Sequence, residues 1–210
     1  MSEFTYEEKT TKARLETYEW DSVWWEQTGN REAGRVLYIG DSISCRTREA
    51  ATRAAGGRLL FDGFGTSKAL DNPYLFDSIR LFARQEGERC AVLFNNGLHG
   101  WHLDDATEYP AAYEAAVRFL LSEFPETPLF LLLTTSVANA EREARVRVRN
   151  AAVTAIAARY GLPVIDLYTV SADAAALRAH DGVHYTPEGY ALFGECLARE
   201  LLPAVTKEKT

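Results

Sequence analysis

Residues 35–44 read RVLYIGDSIS, and this stretch decides the fold. The four apolar residues at 36–39 are typical of a strand that is buried on both faces of a parallel sheet. The small polar residues that follow predict a strand-to-helix turn, which would present Ser42 at the carboxyl edge of the sheet. Because ligands bind at that edge in open α/β sheets, Ser42 is a candidate nucleophile. The alternative is that Asp41 and Ser42 only cap the next helix.

A second segment, near the other end of the chain, favours the nucleophile. Residues 181–190 read DGVHYTPEGY, with Asp181 and His184 three residues apart on a glycine-containing loop. Thr186 and Pro187 then open a helix as its capping residue and first helical residue. A histidine on such a loop can reach a serine on another loop, while the aspartate fixes the tautomer of the imidazole.

Strand and helix patterns alternate along the rest of the chain. The predicted strands cover 35–40, 58–63, 90–95, 128–134 and 162–167, and the predicted helices cover 44–55, 73–86, 107–124, 139–160 and 187–204. This alternation predicts an α/β fold, a flavodoxin-like three-layer α/β/α sandwich with a five-stranded parallel sheet. We expect one domain over residues 1–210, on which residues 1–30 pack as an N-terminal extension.

The N-terminal extension is too rich in aromatic residues to be a free tail. The aromatic residues are Tyr18, Trp20, Trp24 and Trp25. We favour the interpretation that they cover a sheet edge or a helix face. The alternatives are that they roof a pocket or make a subunit contact, which leaves a homo-oligomer open.

Composition narrows the function classes. The 210 residues are 47% hydrophobic and 25% charged, which suits one sizeable core. A net charge of -7 argues against a nucleic-acid-binding surface and favours small-molecule partners. The three cysteines are widely spaced and form neither a disulfide framework nor a zinc motif. The sequence has no signal-peptide pattern and no apolar run long enough to span a membrane. We therefore expect a cytoplasmic protein without membrane partners, unless a signal peptide was removed.

The motifs resemble those of the SGNH (GDSL-like) hydrolases. The similar blocks are Gly-Asp-Ser-Ile at 40–43, a glycine-rich turn after the second strand, Asn-Asn-Gly at 95–97, and Asp181-x-x-His184 before the last helix. The resemblance as a whole covers roughly residues 35–203. The resemblance implies the SGNH hydrolase fold and a serine esterase or acylhydrolase that needs no cofactor. Its substrate would be an acetyl or short acyl ester of a carbohydrate or small molecule.

The resemblance also implies residue roles. Ser42 would attack the carbonyl carbon, His184 would act as general base and then general acid, and Asp181 would orient the imidazole. Three donors would bind the oxyanion: the Ser42 backbone N–H, the N–H of a glycine after the second strand, and an asparagine side chain after the third strand. For the glycine we predict Gly65, which is expected on the turn past the strand end, with Gly63 as the alternative.

The third oxyanion donor is where this sequence departs from the family pattern of Gly-x-Asn-Asp. Alignment at Gly97 puts His99 where asparagine is expected. We favour Asn96 as the donor because a carboxamide is neutral at all working pH values, whereas histidine titrates. Asn95 and His99 are the alternatives, and Asn96 is equally compatible with a turn-capping role.

Asp41, His99 and Trp101 are predicted to line the substrate pocket. His99 and His102 lie close to Trp101, but no third well-placed ligand accompanies them, so we predict no metal site.

The predicted helix over 139–160 carries four arginines. These are Arg142, Arg145, Arg147 and Arg149. Because apolar residues at helical spacing supply a buried stripe, we interpret the arginines as a solvated face with local ion pairs.

Two other function classes fit the same fold. A non-catalytic binding domain is favoured only by the altered asparagine block, and the Ser, Asp and His motifs argue against it. A nucleotide or signalling module would share the layers, but no G-x-G-x-x-G fingerprint follows the first strand.

Overall fold

The computed structural model describes residues 18–85 and 87–206. Within these ranges a six-stranded sheet lies between two layers of helices, which confirms the predicted α/β sandwich. The strands are β1 (Asp21–Trp24), β2 (Gly34–Gly40), β3 (Leu59–Thr66), β4 (Ala91–Phe94), β5 (Leu129–Leu132) and β6 (Val164–Ile165). The helices are α1 (Ser42–Ala54), α2 (Leu75–Ala83), α3 (Glu108–Glu123), α4 (Ala140–Tyr160), α5 (Leu167–Asp173) and α6 (Pro187–Thr206), and a short 3-10 helix (Ala175–Leu177) precedes α6.

The order of strands in the sheet is β1-β3-β2-β4-β5-β6. Strands β2 to β6 pair in parallel, as predicted, whereas β1 is antiparallel to β3. The prediction of five strands therefore misses β1. Its sequence, DSVW, is mostly exposed and lacks the alternation of a half-buried strand. Pairing with β3, and not a buried face, holds this segment in the sheet.

The described part of the N-terminal extension covers the edge of the sheet. Trp25 stacks on Phe82 of α2 with ring centroids 4.2 Å apart, and the Arg48 guanidinium lies 5.4 Å from the Trp24 ring. The favoured interpretation of the aromatic cluster therefore fits these two rings. Residues 1–17 of the predicted extension lie outside the described residues.

The β2 run is apolar throughout because it contacts a helical layer on each side. Val36 and Tyr38 belong to the core formed with α1 and α6, whereas Leu37 and Ile39 belong to the core formed with α2 and α3. All four side chains are almost completely buried. This double burial fixes β2 in the middle of the sandwich, so that the start of α1 lies at the carboxyl edge of the sheet.

The carboxyl end of β3 extends further than predicted. β3 ends at Thr66, whereas the predicted strand ended at residue 63, so the expectation that Gly65 lies on a turn past the strand is wrong. Glycine is required at this position because a Cβ would come within 2.2 Å of Cys45 Sγ and 3.2 Å of the Asp41 carbonyl oxygen. Glycine inside a strand often marks such a close approach, which local sequence does not distinguish from a turn.

The last predicted strand is shorter than expected. Only Val164–Ile165 pair with β5, and Asp166 caps α5 by accepting a hydrogen bond from the Thr169 N–H at 2.9 Å. α5 and the 3-10 helix were not predicted, because both are short.

In residues 18–85 and 87–206, no helix combines the length and the apolar character that crossing a bilayer requires.

Candidate active site

The candidate nucleophile lies on a sharp turn between β2 and α1. β2 ends at Gly40 and α1 begins at Ser42, which is half-buried. The Asp41 carboxylate caps the helix by accepting a hydrogen bond from the Ile43 N–H at 2.9 Å. Gly40 permits the tight turn, because a Cβ there would come within 2.7 Å of the Ser44 Cβ. The chain thereby presents Ser42 at the carboxyl end of β2.

The loop before α6 brings His184 and Asp181 to the same place. His184 Nε2 lies 2.8 Å from Ser42 Oγ, and His184 Nδ1 lies 2.7 Å from Asp181 Oδ2. The other carboxylate oxygen accepts hydrogen bonds from the backbone N–H groups of Val183 and His184, each at 2.9 Å. Residues 142 positions apart in sequence therefore form one continuous chain of hydrogen bonds.

The environment of Asp181 fixes the tautomer of the imidazole. Burial by itself would raise the pKa of this carboxyl, but hydrogen bonds from Val183 and His184 outweigh burial and lower the pKa below its ordinary value. The carboxylate therefore remains ionised and accepts a hydrogen bond from the Nδ1–H group of His184. From this network we assign Nε2 as the acceptor of the Ser42 hydroxyl proton.

The backbone of Gly65, a predicted oxyanion donor, lies between β1 and β2. In β1 its partner is Ser22. Hydrogen-bonded pairs alternate along an antiparallel ladder, and the Ser67 N–H donates to the Trp20 carbonyl oxygen. By this alternation the Gly65 N–H is directed toward Ser22 of β1, and the same holds for Gly63. The added edge strand therefore competes for the amides that the sequence assigns to the oxyanion.

The two candidate asparagines have structural partners. The Asn95 amide group donates to the Leu132 carbonyl oxygen at 2.8 Å and to Thr134 Oγ1 at 3.1 Å, which uses both of its hydrogens. Asn96 is 1% exposed, and its amide group donates to the Lys68 carbonyl oxygen at 2.8 Å. This contact uses one of the two amide hydrogens of Asn96, whereas both hydrogens of the Asn95 amide are used. His99, at 9% exposure, is more accessible than Asn96.

His99 follows these asparagines, on the turn after β4. Its imidazole meets the Trp20 ring edge to face, with centroids 6.2 Å apart and an interplanar angle of 76°. Because β4 pairs with β2, this turn is adjacent to the turn that carries Ser42. The strand order thus brings His99 to this part of the edge together with Asn95 and Asn96, and the sequence alignment places His99 at the position of the family asparagine.

A buried arginine that the sequence interpretation missed holds the turn. Arg149 of α4 is 0% exposed, and its guanidinium donates to the carbonyl oxygens of Gly97, His99 and Gly100 at 3.2, 2.8 and 2.8 Å. Its Nε donates to Asp105 Oδ1 at 2.7 Å. Three backbone acceptors and one carboxylate therefore satisfy a buried charge.

The interpretation of the α4 arginines as a solvated face with local ion pairs is wrong for Arg149. It is also wrong for Arg145, whose guanidinium donates to Asp105 and to the carbonyl oxygens of Trp101 and Leu103. It fits Arg147, whose side chain is 64% exposed and lies 3.7 Å from Glu143.

Helical spacing could have distinguished Arg149 from Arg147. Arg149 lies three residues after Val146 and four before Val153, and both valines are fully buried. An arginine in register with an apolar stripe was the available signal.

The other predicted pocket residues have mainly structural contacts. The Asp41 side chain is 2% exposed and caps α1. The Trp101 ring is half-buried and stacks with the Arg149 guanidinium at 4.6 Å. His102 Nε2 lies 3.0 Å from an Asp71 carboxylate oxygen. Within the described ranges, no group of three or more His, Cys, Asp or Glu side chains could hold a metal ion.

Comparison with known families identifies the chain. Residues 80–192, more than half of its length, match the profile of the GDSL-like Lipase/Acylhydrolase family. The chain belongs to this family. GDSL-like acylhydrolases cleave ester bonds, and the chain is accordingly a hydrolase that acts on esters. The matched range includes Asp181 and His184 but not Ser42, for which the Gly-Asp-Ser motif and the geometry provide the argument.

Solved structures share the fold of this GDSL-like protein. A lipase/acylhydrolase from Enterococcus faecalis superposes with a TM-score of 0.63 at 16% identity, covering 84% of this chain and 100% of its own. An acetyl xylan esterase gives 0.62 at 17% identity, with coverages of 80% and 100%. A carbohydrate esterase family 3 protein from Talaromyces cellulolyticus gives 0.64 at 14% identity, with coverages of 83% and 99%. No curated protein matches the sequence.

Proposed function

We propose that this GDSL-like protein is a serine esterase that removes acetyl or other short acyl groups from a carbohydrate or small-molecule ester. The observation that carries the proposal is the hydrogen-bonded chain from Ser42 Oγ through the His184 imidazole to Asp181, with links of 2.8 and 2.7 Å. A nucleophile, a base and an orienting carboxylate at these distances suit acyl transfer.

In the proposed reaction, Ser42 Oγ attacks the ester carbonyl carbon as His184 Nε2 takes its proton. The resulting imidazolium is stabilised by Asp181, and it returns the proton to the departing alcohol oxygen when the carbon–oxygen bond breaks. Water then attacks the acyl-serine ester, with His184 again accepting a proton. This second step releases the carboxylic acid and restores the serine hydroxyl.

We also propose a revised set of oxyanion donors. The backbone N–H of Ser42 lies in the first turn of α1, where unpaired amides and the helix dipole favour negative charge. His99 is the second proposed donor, in place of Asn96, because the Asn96 amide is buried against Lys68. Gly65 has a different proposed role, because its own N–H is directed toward β1. Its lack of a side chain allows Cys45 and the turn before Ser42 to pack closely against β3.

The carbohydrate part of the proposal is supported by the names of two structural neighbours, an acetyl xylan esterase and a carbohydrate esterase. At identities of 17% and 14% these neighbours share only the fold with this chain, so the carbohydrate substrate is our proposal. The three cysteines form no disulfide in the part of the chain that the structure describes, which suits a reducing compartment, and we propose a cytoplasmic location.

The test is pre-steady-state hydrolysis of p-nitrophenyl acetate. We expect a burst of p-nitrophenol that approaches one equivalent per protein, because acylation of Ser42 releases the phenol before water cleaves the acyl-enzyme. Ser42→Ala should abolish the burst. A wild-type protein without esterase activity, or a Ser42→Ala variant that keeps it, would favour the non-catalytic binding domain or another nucleophile. A panel of acetylated sugars and longer acyl esters then defines the substrate.

A further inference from the structure

Trp20 is a large aromatic side chain that stays accessible next to the proposed site. It is 38% exposed, although its ring is in edge-to-face contact with His99. Trp25 is stacked against Phe82. Trp24 is 53% exposed, but it pairs with Gly63, further from the carboxyl end of β3, and its ring contacts the Arg48 guanidinium. Trp20 has no role in the triad of Ser42, His184 and Asp181, nor is it a proposed oxyanion donor. Its exposed position next to the site therefore needs a separate explanation.

The backbone of Trp20 is held firmly by the segment after β3. Its N–H donates to Ser67 Oγ at 2.8 Å, and its carbonyl oxygen accepts from the Ser67 N–H at 3.1 Å and from Thr66 Oγ1 at 3.2 Å. Because the backbone of Trp20 is already fixed, a ligand that packs on the indole does not have to order the main chain, and little backbone entropy is lost on binding.

The acidic residues on either side of Trp20 strengthen this attachment. Glu19 accepts hydrogen bonds from Ser67 Oγ at 2.6 Å and from the Asn72 amide group at 2.9 Å. Asp21 forms a bidentate ion pair with Lys68 Nζ, with both distances 2.7 Å. The side chains of Lys68 and Asp21 are 9% and 34% exposed, so this ion pair is partly shielded from solvent.

The same contacts place Trp20 at the catalytic edge of the sheet. Gly65 of β3 is level with Gly40 of β2, and Ser42 follows Gly40 by two residues. Trp20 pairs with Ser67, which is two residues beyond Gly65. Trp20 therefore lies past the end of β3, at the carboxyl edge of the sheet where α1 starts. The contact with His99 joins it to the turn after β4.

We propose that Trp20 forms a ring-binding subsite, on which a sugar ring in the alcohol portion of the substrate stacks while its acyl group reaches Ser42. This inference rests on the proposed esterase function and names the part of the substrate that the triad leaves undefined. An indole offers a wide apolar surface to the C–H face of a pyranose, and its N–H can serve a hydroxyl group. An acyl group alone, or a small aliphatic alcohol, would leave this surface empty.

The experiment compares an acetylated pyranoside with ethyl acetate in wild type, Trp20→Ala, Trp20→Phe and Trp24→Ala. We expect Trp20→Ala to lower the ratio of kcat/KM for the sugar ester to that for ethyl acetate by about tenfold, mainly through KM. Trp20→Phe should recover part of the ratio, and Trp24→Ala should leave it unchanged. A phenyl ester is assayed in parallel. An equally large loss on the phenyl ester would show that Trp20 does not distinguish a sugar ring from an aromatic ring, which would overturn a subsite for sugars.

Binding gives a readout that does not depend on turnover. The acetylated pyranoside is titrated calorimetrically into Ser42→Ala and into Ser42→Ala combined with Trp20→Ala, and we expect the second protein to bind about tenfold more weakly. Equal affinities, or an equal loss on both esters, would overturn the subsite and leave the esterase in place. Absence of hydrolysis in the wild type would instead reject the proposed function, while the titration still decides whether Trp20 binds the sugar.

Discussion

The triad and the turn after β4 lie at the same edge of the sheet, but different kinds of contact build them. Asp181 and His184 are three residues apart, and local hydrogen bonds set their mutual geometry. The turn is held by Arg149 and Asp105 across roughly fifty residues of sequence. Short-range contacts leave a motif in the sequence, whereas long-range contacts leave isolated residues whose purpose appears only in the folded chain.

The largest predicted effect concerns the triad of Ser42, His184 and Asp181, the first member of this comparison. Ser42→Ala and His184→Ala should each lower kcat by roughly 10⁴- to 10⁶-fold, because each removes a group that acts in the acyl-transfer transition state. The double variant should be little worse than either single variant. Steady-state kinetics on one activated ester measures all three proteins, and losses that multiply in the double variant would show that the residues act independently.

The second prediction decides between the two candidates on the turn. His99→Ala should lower kcat by roughly 100- to 1000-fold with little change in KM, the loss expected when one preorganised oxyanion donor is removed. Asn96→Ala is the matched control, and its main effect should be on stability, because the Asn96 amide ties the turn to Lys68. If Asn96→Ala loses kcat and His99→Ala keeps it, the original assignment of the donor to Asn96 is correct.

The third prediction tests the long-range half of the comparison. Arg149→Met should lower the free energy of unfolding by about 3 kcal/mol, because Gly97, His99 and Gly100 lose their donor and Asp105 loses its buried arginine partner.

Arg147→Met on the same helix is the control for that variant. Since Arg147 is exposed, its change in unfolding free energy should stay within about 0.5 kcal/mol. Urea denaturation of both variants gives the values. Similar losses in both proteins would mean that Arg149 has no special role in holding the turn.

The smallest predicted effect concerns the pH dependence of stability. The pKa of Asp181 is lower in the folded protein than its ordinary value, mainly through hydrogen bonds that outweigh burial. Its contribution to stability is therefore fully present above the ordinary aspartate pKa of about 3.9 and is lost as the pH falls through the lower folded-state value.

Denaturation of wild type and Asp181→Asn at several pH values measures this contribution. The stability difference should be constant near neutral pH and should shrink in the acid range, while the exposed Asp173→Asn should remain close to wild type throughout. A difference that grows on acidification would have the opposite sign to the one expected.

The sequence was sufficient for the parallel core of the fold and for the meeting of Ser42, Asp181 and His184. Continuous apolar runs identify doubly buried strands, and the motif residues lie at strand ends that share one edge. β1 escaped prediction because its four residues bury little, and the pairing that holds it depends on β3.

The oxyanion donors illustrate the same limit. Gly65 was expected on a turn because glycine has no side-chain signal of its own, whereas the approach of Cys45 explains it. The engagement of Asn96 by Lys68, and of the turn by Arg149, depends on residues that are 28 and about 50 positions away. No local pattern carries this information.

Covalent labelling of the nucleophile tests the central claim most directly. A fluorophosphonate should phosphonylate Ser42 with loss of fluoride, and peptide mapping by mass spectrometry should locate the adduct there. Labelling should be absent in Ser42→Ala, strongly slowed in His184→Ala, and retained in Ser44→Ala, the neighbouring buried serine. An adduct on another residue, or equal labelling rates in wild type and His184→Ala, would contradict the account of Ser42 as a nucleophile activated by His184.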